Sequence, residues 1–320
     1  MHPAARRHSI AEPERSAPGP AYRLRRQGNR GQTMIIDFRV RPPFKGFRGS
    51  FLYRPRNPSP DPVTMPALQI GLERYRSFEE QSMEAFMEEM DEAGIDMAVA
   101  IGRQAPAPYN GVPNEDVAEL VKLYPGRFLG IGAVDGSNVK AALAEIDRIV
   151  DLGLRGVAMD NGYCNPPLYN SDERLFPIYA KCEELGLILS LTSSIFLGPD
   201  LTYSDPATIQ RVALKFPKLK IVVPHGSWPW TVQMCAVAMQ CTNIYLVPDF
   251  YMHLPNMPGA DEFLKAANFY LSHRLIYASS YPVRPLGQSL RQFKDLAFAD
   301  DAIRQRCLGE NAARLLGLST

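Results

Sequence analysis

Short apolar runs and amphipathic stretches alternate eight times along this chain, and that alternation constrains the fold more tightly than any single motif. The runs fall at 34–38 (MIIDF), 96–101 (DMAVAI), 128–133 (FLGIGA), 156–159 (GVAM), 187–191 (LILSL), 220–224 (KIVVP), 243–247 (NIYLV) and 274–278 (RLIYA). Each has the length and residue types of a buried strand. Between them, helical spacing is read over 77–92, where Phe78, Met83, Phe86, Met87 and Met90 share a face and Gly94 is the stop, and over 114–123, 138–151, 174–184, 205–215, 229–240, 259–270 and 286–297. Asn114, Asn138 and Asp205 are read as N-caps, whose side-chain oxygens take up N–H groups that the first turn leaves unpaired. A last helix over about 301–316 is expected to pack on the outside. Eight β-α units point to an α/β fold, a single (β/α)8 TIM barrel over residues 34–320.

Two segments stand apart from the pattern. Residues 1–33 carry seven arginines against Glu12 and Glu14, with little apolar content. An Arg-rich extension of this kind cannot bury a core and is expected to be disordered. Residues 42–76 follow the first strand and contain seven prolines between Pro42 and Pro66, with Phe44, Phe47, Phe51 and Tyr53. A loop this long is either a lid over the barrel mouth or an insertion that meets another subunit.

Composition narrows the partners. Thirty-five basic and 34 acidic side chains nearly cancel, so no overall field favours nucleic acid or an anionic membrane, and a small molecule is the expected partner. The five cysteines include no C-x-x-C pair, which argues against a disulfide framework or a thiolate zinc site and fits a reducing cytoplasm. No apolar run approaches the roughly 18 residues needed to cross a bilayer.

In such barrels the chemistry sits just beyond the C-terminal ends of the strands. Those positions hold Arg39 and Arg41, Arg103, Asp135, Asp160 with Asn161, Thr192 with Ser193 and Ser194, His225, Asp249, and Ser279 with Ser280. Arg284, in YPVRP, either extends this cationic rim or is a solvated loop arginine. Two residues apart on one strand, Arg39 and Arg41 point to the same side. Turned inward, they would offer up to about ten N–H donors in a fork suited to carboxylate or phosphate. Alternatively they pair with Asp37, Asp160 or Asp249 and fill space. His225 is the natural general acid or base of the set, with Asp249 or Asp160 to orient it.

The stretches GLRGVAMDNGY, NSDERLFPIYAKCEELGLIL, FPKLKIVVPHGSWPW, NIYLVPDF, RLIYASSYPVRPLG and LGENAARLLGL resemble, in order and spacing, landmarks of the amidohydrolase superfamily. The resemblance runs from about Met34 to Leu318. Its nearest branch is the amidohydrolase-2 group, which contains aminocarboxymuconate-semialdehyde decarboxylase and related carboxy-lyases and hydrolases. It implies a divalent metal held by His-x-His on strand one, a His on strand five and an Asp on strand eight, with a strand-six His as acid or base. Those places carry Arg39 and Arg41, Thr192, Ser280 and, for the last, His225.

Guanidinium groups only donate and repel a divalent ion, while Thr and Ser are weak neutral ligands, so no catalytic metal or other cofactor is expected at the usual place. Three readings follow. The first is a metal-independent enzyme acting on a small carboxylated substrate, held by Arg39 and Arg41 with Arg103, Asp160, Thr192, Ser280 and Arg284 around it, while His225 shuttles a proton beside Asp249. The reaction would be hydrolysis, hydration or decarboxylation. Pyrone-dicarboxylate lactonases of this resemblance work without metal but keep a carboxylate where Ser280 stands. The second is an inactive barrel that binds a small molecule or a partner. The third recruits a metal elsewhere, through Asp160, Asp249, His225 or His253. A homodimer would be in keeping with the resemblance.

Overall fold

A computed structural model of the chain describes residues 34–53, 69, 71–109 and 111–318. The Arg-rich extension and residues 54–68 and 70 of the proposed lid lie outside the described residues. Seven parallel strands run in chain order around one sheet: β1 (Ile36–Val40), β2 (Met97–Ile101), β3 (Phe128–Ala133), β4 (Gly156–Met159), β5 (Ile188–Leu191), β6 (Lys220–Pro224) and β7 (Ile244–Val247). The eighth expected strand is a looser stave. Its residues bond to β7 on one side, through Leu246 N to Arg274 O and Ile276 N to Leu246 O at 2.9 Å each. On the other side they bond to β1, through Phe38 N to Tyr277 O at 3.1 Å and Arg41 N to Tyr281 O at 2.9 Å. The barrel is therefore closed, with only isolated bridges rather than a regular ladder at the seam.

The helices of the outer ring are α1 (Arg76–Glu79), α2 (Met83–Ala93), α3 (Asn114–Leu123), α4 (Val139–Asp151), α5 (Phe176–Glu184), α6 (Pro206–Lys215), α7 (Thr231–Gln240), α8 (Phe250–His253), α9 (Ala260–Ala267) and α10 (Leu286–Lys294). Asn138 and Asp205 cap α4 and α6 as expected, accepting from Ala141 N and Ala207 N. Asn114 does not cap α3. It is the first helical residue, and its carboxamide donates to Ala133 O at 3.0 Å while accepting from Ala133 N at 2.8 Å. That pairing stitches α3 to the end of β3, where the strand's own partners run out.

Two apolar layers hold the molecule. Ile36, Phe38, Met97, Val99, Ile131 and Ile276 belong to the inner one, and the helices pack against the outer one. The last helices, α11 (Asp301–Gln305) and α12 (Asn311–Leu316), are joined by a π turn over Arg306–Glu310. Contrary to an outside position, Ala312, Ala313, Leu315 and Leu316 join the inner layer with Met34, so α12 plugs the bottom of the barrel. Gly309 permits this approach, since a Cβ there would fall 1.7 Å from Met34 O. With the bottom sealed by apolar groups, the polar strand ends are left at the opposite mouth.

Candidate active site

The direction of the two arginines is set by a bulge. Along the β1–β2 pairing, Asp37 lies opposite Ala98 and Val40 opposite Ala100, so one extra residue of β1 is absorbed between them. Before the bulge Ile36 and Phe38 face inward; after it Val40 belongs to the outer layer, and Arg39 and Arg41 turn inward. Unbroken alternation from Phe38 would have sent both outward. Asp37 supports the irregularity: its Oδ1 accepts from Arg39 N at 3.2 Å and from Ser279 N at 2.9 Å. Burial raises the Asp37 carboxyl to about 6, against the opposing effect of the Ser279 and Arg39 hydrogen bonds.

Four residues at the ends of β1, β6, β7 and the eighth stave form a chain. Arg39 Nη1 donates to Ser280 Oγ at 2.8 Å, and Ser280 Oγ donates to Asp249 Oδ2 at 2.6 Å. The same Asp249 oxygen lies 2.9 Å from His225 Nδ1. Arg39 itself stays 3.8 Å from Asp249. Burial lowers the His225 pKa; Asp249 opposes that, and the charges of Arg39 and Arg41 add to it. At neutral pH the imidazole is therefore uncharged.

A second group adjoins the first. Arg103 Nε donates to Asp160 Oδ2 at 2.8 Å, with both side chains 6% exposed. The Arg103 guanidinium lies 4.9 Å from the Phe51 ring centre and 5.6 Å from that of Tyr163, which stacks on Tyr109. Burial alone would raise Asp160, but Arg103, Arg41 and the Thr192 hydroxyl overcome it and hold the carboxylate below its ordinary range. Arg41 is 2% exposed. Among the described residues no carboxylate lies within the 4.0 Å ion-pair distance of its guanidinium. Burial, then repulsion from Arg103 and Arg39, pulls its pKa well below the arginine value.

The backbone at this rim is unusual. His225, Asp249 and Ser280 have φ of 64°, 47° and 61°, a region non-glycine residues avoid at a cost of about 1–2 kcal/mol each. Other rim residues do local work. Asp135 Oδ1 accepts from Ser137 N, Asn161 bonds Asn170 and Tyr179, and Ser193 bonds Ser204 O and Ser227. Arg284 is buried rather than solvated, with Nη2 3.3 Å from Gln288 Oε1 and its charge acting on His253. His253 is held neutral, its pKa pushed to about 3 by burial, and its Nε2 sits 2.6 Å from Ser289 Oγ. The aromatic wall of Phe51, Tyr109 and Tyr163 was missed by reading strand ends alone; its sequence signal is the cluster of aromatics in the loops beside Arg103.

A divalent metal does not fit here. The positions that would hold it carry two donor-only guanidiniums, Thr192 and Ser280. Among the described residues no group of three or more His, Cys, Asp or Glu side chains could hold an ion. The third sequence reading, a metal recruited by Asp160, Asp249, His225 or His253, lacks a ligand set for the same reason. No helix among the described residues is long and apolar enough to cross a membrane.

The chain belongs to the amidohydrolase-2 family, which it matches over residues 36–318. A TIM-barrel protein from Bordetella bronchiseptica is 38% identical, with a TM-score of 0.81 over 89% of this chain and 98% of that one. The chain is 24% identical to 2-amino-3-carboxymuconate-6-semialdehyde decarboxylase from Dictyostelium discoideum over 239 residues, 64% of this chain and 65% of that protein's length. The 5-carboxyvanillate decarboxylase of Sphingomonas paucimobilis shares the fold, at 18% identity and a TM-score of 0.62 over 90% of this chain and 100% of that one.

Proposed function

We propose that this protein is a metal-independent enzyme of its family, of carboxy-lyase type, which acts on a small carboxylated substrate. Arg39 and Arg41 hold the substrate at the barrel mouth, and His225 is the general acid and base. The observation that carries this reading is a charge count. Among the described residues, three buried guanidiniums, Arg39, Arg41 and Arg103, face Asp160 and Asp249, and Arg41 is the one left over. A buried cation without a partner is costly, and an anion from outside completes the set. The decarboxylase activities of the relatives support the carboxy-lyase type.

The oxygen atoms on the arginines should be ones that keep or gain charge. A carboxylate leaving as CO2 loses its charge, so tight pairing there would stabilise the ground state more than the transition state. The electron pair of the breaking C–C bond stays on carbon, which takes a proton as CO2 departs. His225, neutral at rest, first accepts a proton from an acidic group of the bound substrate, holds it beside Asp249, and returns it to that carbon. Arg103, Asp160 and Thr192 form the adjoining wall.

The test is incubation with aromatic and unsaturated dicarboxylates in D2O. The expected result is CO2 release with one deuterium at the vacated carbon. Binding without turnover would instead make this a carboxylate-binding barrel. No carboxylate raising the unfolding temperature would end the reading altogether.

A further inference from the structure

We infer that Ser280 is a positioning residue, a neutral spacer that keeps the buried Arg39 and Asp249 from closing on each other. This deepens, and rests on, the carboxylate-binding reading above. The geometry is a triangle. Arg39 Nη1 and Asp249 Oδ2 stand 3.8 Å apart, and the Ser280 hydroxyl sits 2.8 Å from the first and 2.6 Å from the second. Both polar functions of that hydroxyl are used inside the protein: the oxygen accepts from Arg39 and the hydrogen goes to Asp249. The hydroxyl therefore has no hydrogen left to donate to an anionic ligand in this arrangement, and its effect reaches the ligand through its two neighbours.

Two opposite charges this deeply buried attract strongly, and direct contact would satisfy both. It would also spoil the site. Arg39 Nη1 would be turned onto Asp249 and away from an incoming carboxylate, and Asp249 would withdraw from His225, whose Nδ1 lies 2.9 Å from the same oxygen. The groups facing His225 are Asp249, Arg39 and Arg41, with the rings of Phe250 and Tyr251 against the imidazole. Keeping Asp249 off Arg39 therefore keeps its charge on the imidazole. A hydroxyl suits the task because it hydrogen-bonds to both ions and adds no charge of its own.

The experiment uses the full chain, citrate as probe, and 15N-histidine-labelled protein, with the His225 resonances assigned from His225→Asn. Ser280→Gly removes the hydroxyl and is tolerated by the backbone, since φ of 61° suits glycine. Citrate binding measured by calorimetry should weaken about tenfold, the usual scale for losing a charge-assisted contact, and the His225 ring nitrogens should shift. Ser280→Asp, which places a carboxylate directly on Arg39, should abolish citrate binding. Unchanged citrate affinity and unchanged His225 resonances in Ser280→Gly would overturn the spacer. Failure of the unaltered protein to bind citrate or any other carboxylate would strike the carboxylate-binding reading instead, while the His225 resonances would still report on the spacer.

Discussion

Asp37 and Ser279 are joined across the seam of the barrel: the Asp37 carboxylate takes the Ser279 backbone N–H at 2.9 Å and, with the same oxygen, the Arg39 N–H at 3.2 Å. One side chain thus closes the last gap in the sheet and holds the bulge that aims Arg39 inward. Folding raises the Asp37 pKa to about 6, so its contribution to stability is complete below about pH 4 and fades as pH climbs through 6, a swing of roughly 3 kcal/mol. Asp37→Asn keeps the accepting oxygen and should flatten that dependence, leaving stability at pH 8 equal or higher. Asp37→Ala strands two buried N–H groups and should cost about 2–5 kcal/mol at either pH. Urea unfolding at pH 4.5 and 8 measures both; an equal loss in the two variants would mean that the charge itself is required.

Arg41 should weigh against stability in the empty protein. Replacing it with Met removes a buried cation without a carboxylate neighbour among the described residues, and should stabilise the protein by about 1–4 kcal/mol. The same change should erase the rise in unfolding temperature produced by citrate. Thermal scans with and without citrate test the two effects together, and a variant that keeps the citrate response would remove Arg41 from the binding site.

His225 should leave its mark on the pH profile. Burial depresses its pKa, so the neutral, proton-accepting form persists below the ordinary histidine range. With a turned-over carboxylate, kcat/KM should hold its plateau through neutral pH and fall only on an acid limb below about 6.5. His225→Asn should lower kcat by roughly 10²–10⁴. A profile that instead falls as pH rises through 7 would assign His225 to a resting acid.

Arg103 and Asp160 form a pair whose halves depend on each other. Arg103→Met leaves the Asp160 carboxylate buried without its hydrogen-bonded cation, at a cost of up to about 3–5 kcal/mol. The folded Asp160 pKa is depressed, so the pair's contribution is present above the unfolded carboxylate pKa and is lost as pH falls through the folded one. The double change Arg103→Met with Asp160→Asn should recover much of the loss, since neither half of the pair is then left buried without the other. Unfolding free energies of the two single variants and the double variant supply the cycle.

The sequence carries the barrel because each β-α unit announces itself locally, through a β-branched run, a turn and an amphipathic face. It also places the site, because strand ends are easy to find once strands are. What it hides is phase. Arg39 and Arg41 face inward only because one residue is absorbed between Asp37 and Val40, and nothing in IDFRV marks that irregularity. Asn114 has the residue type of a cap but spends its carboxamide on β3, and the apolar spacing of α12 does not say whether it covers the barrel's side or its bottom. Ser280 is the sharpest case. Its position singled it out as a substrate contact, whereas its hydroxyl is bound on both sides by protein, a distinction that only three-dimensional contacts express.

The positive φ angles of His225, Asp249 and Ser280 bear on how such a barrel would age once released from its task. Each of the three would find conformational relief as glycine, but His225 packs against Phe250 and Tyr251 of the outer apolar layer, and Asp249 and Ser280 are held by their polar neighbours. Drift without demand would therefore trade that relief against a void or an unpaired buried group at each of the three. The chain keeps an imidazole, a carboxylate and a hydroxyl there instead.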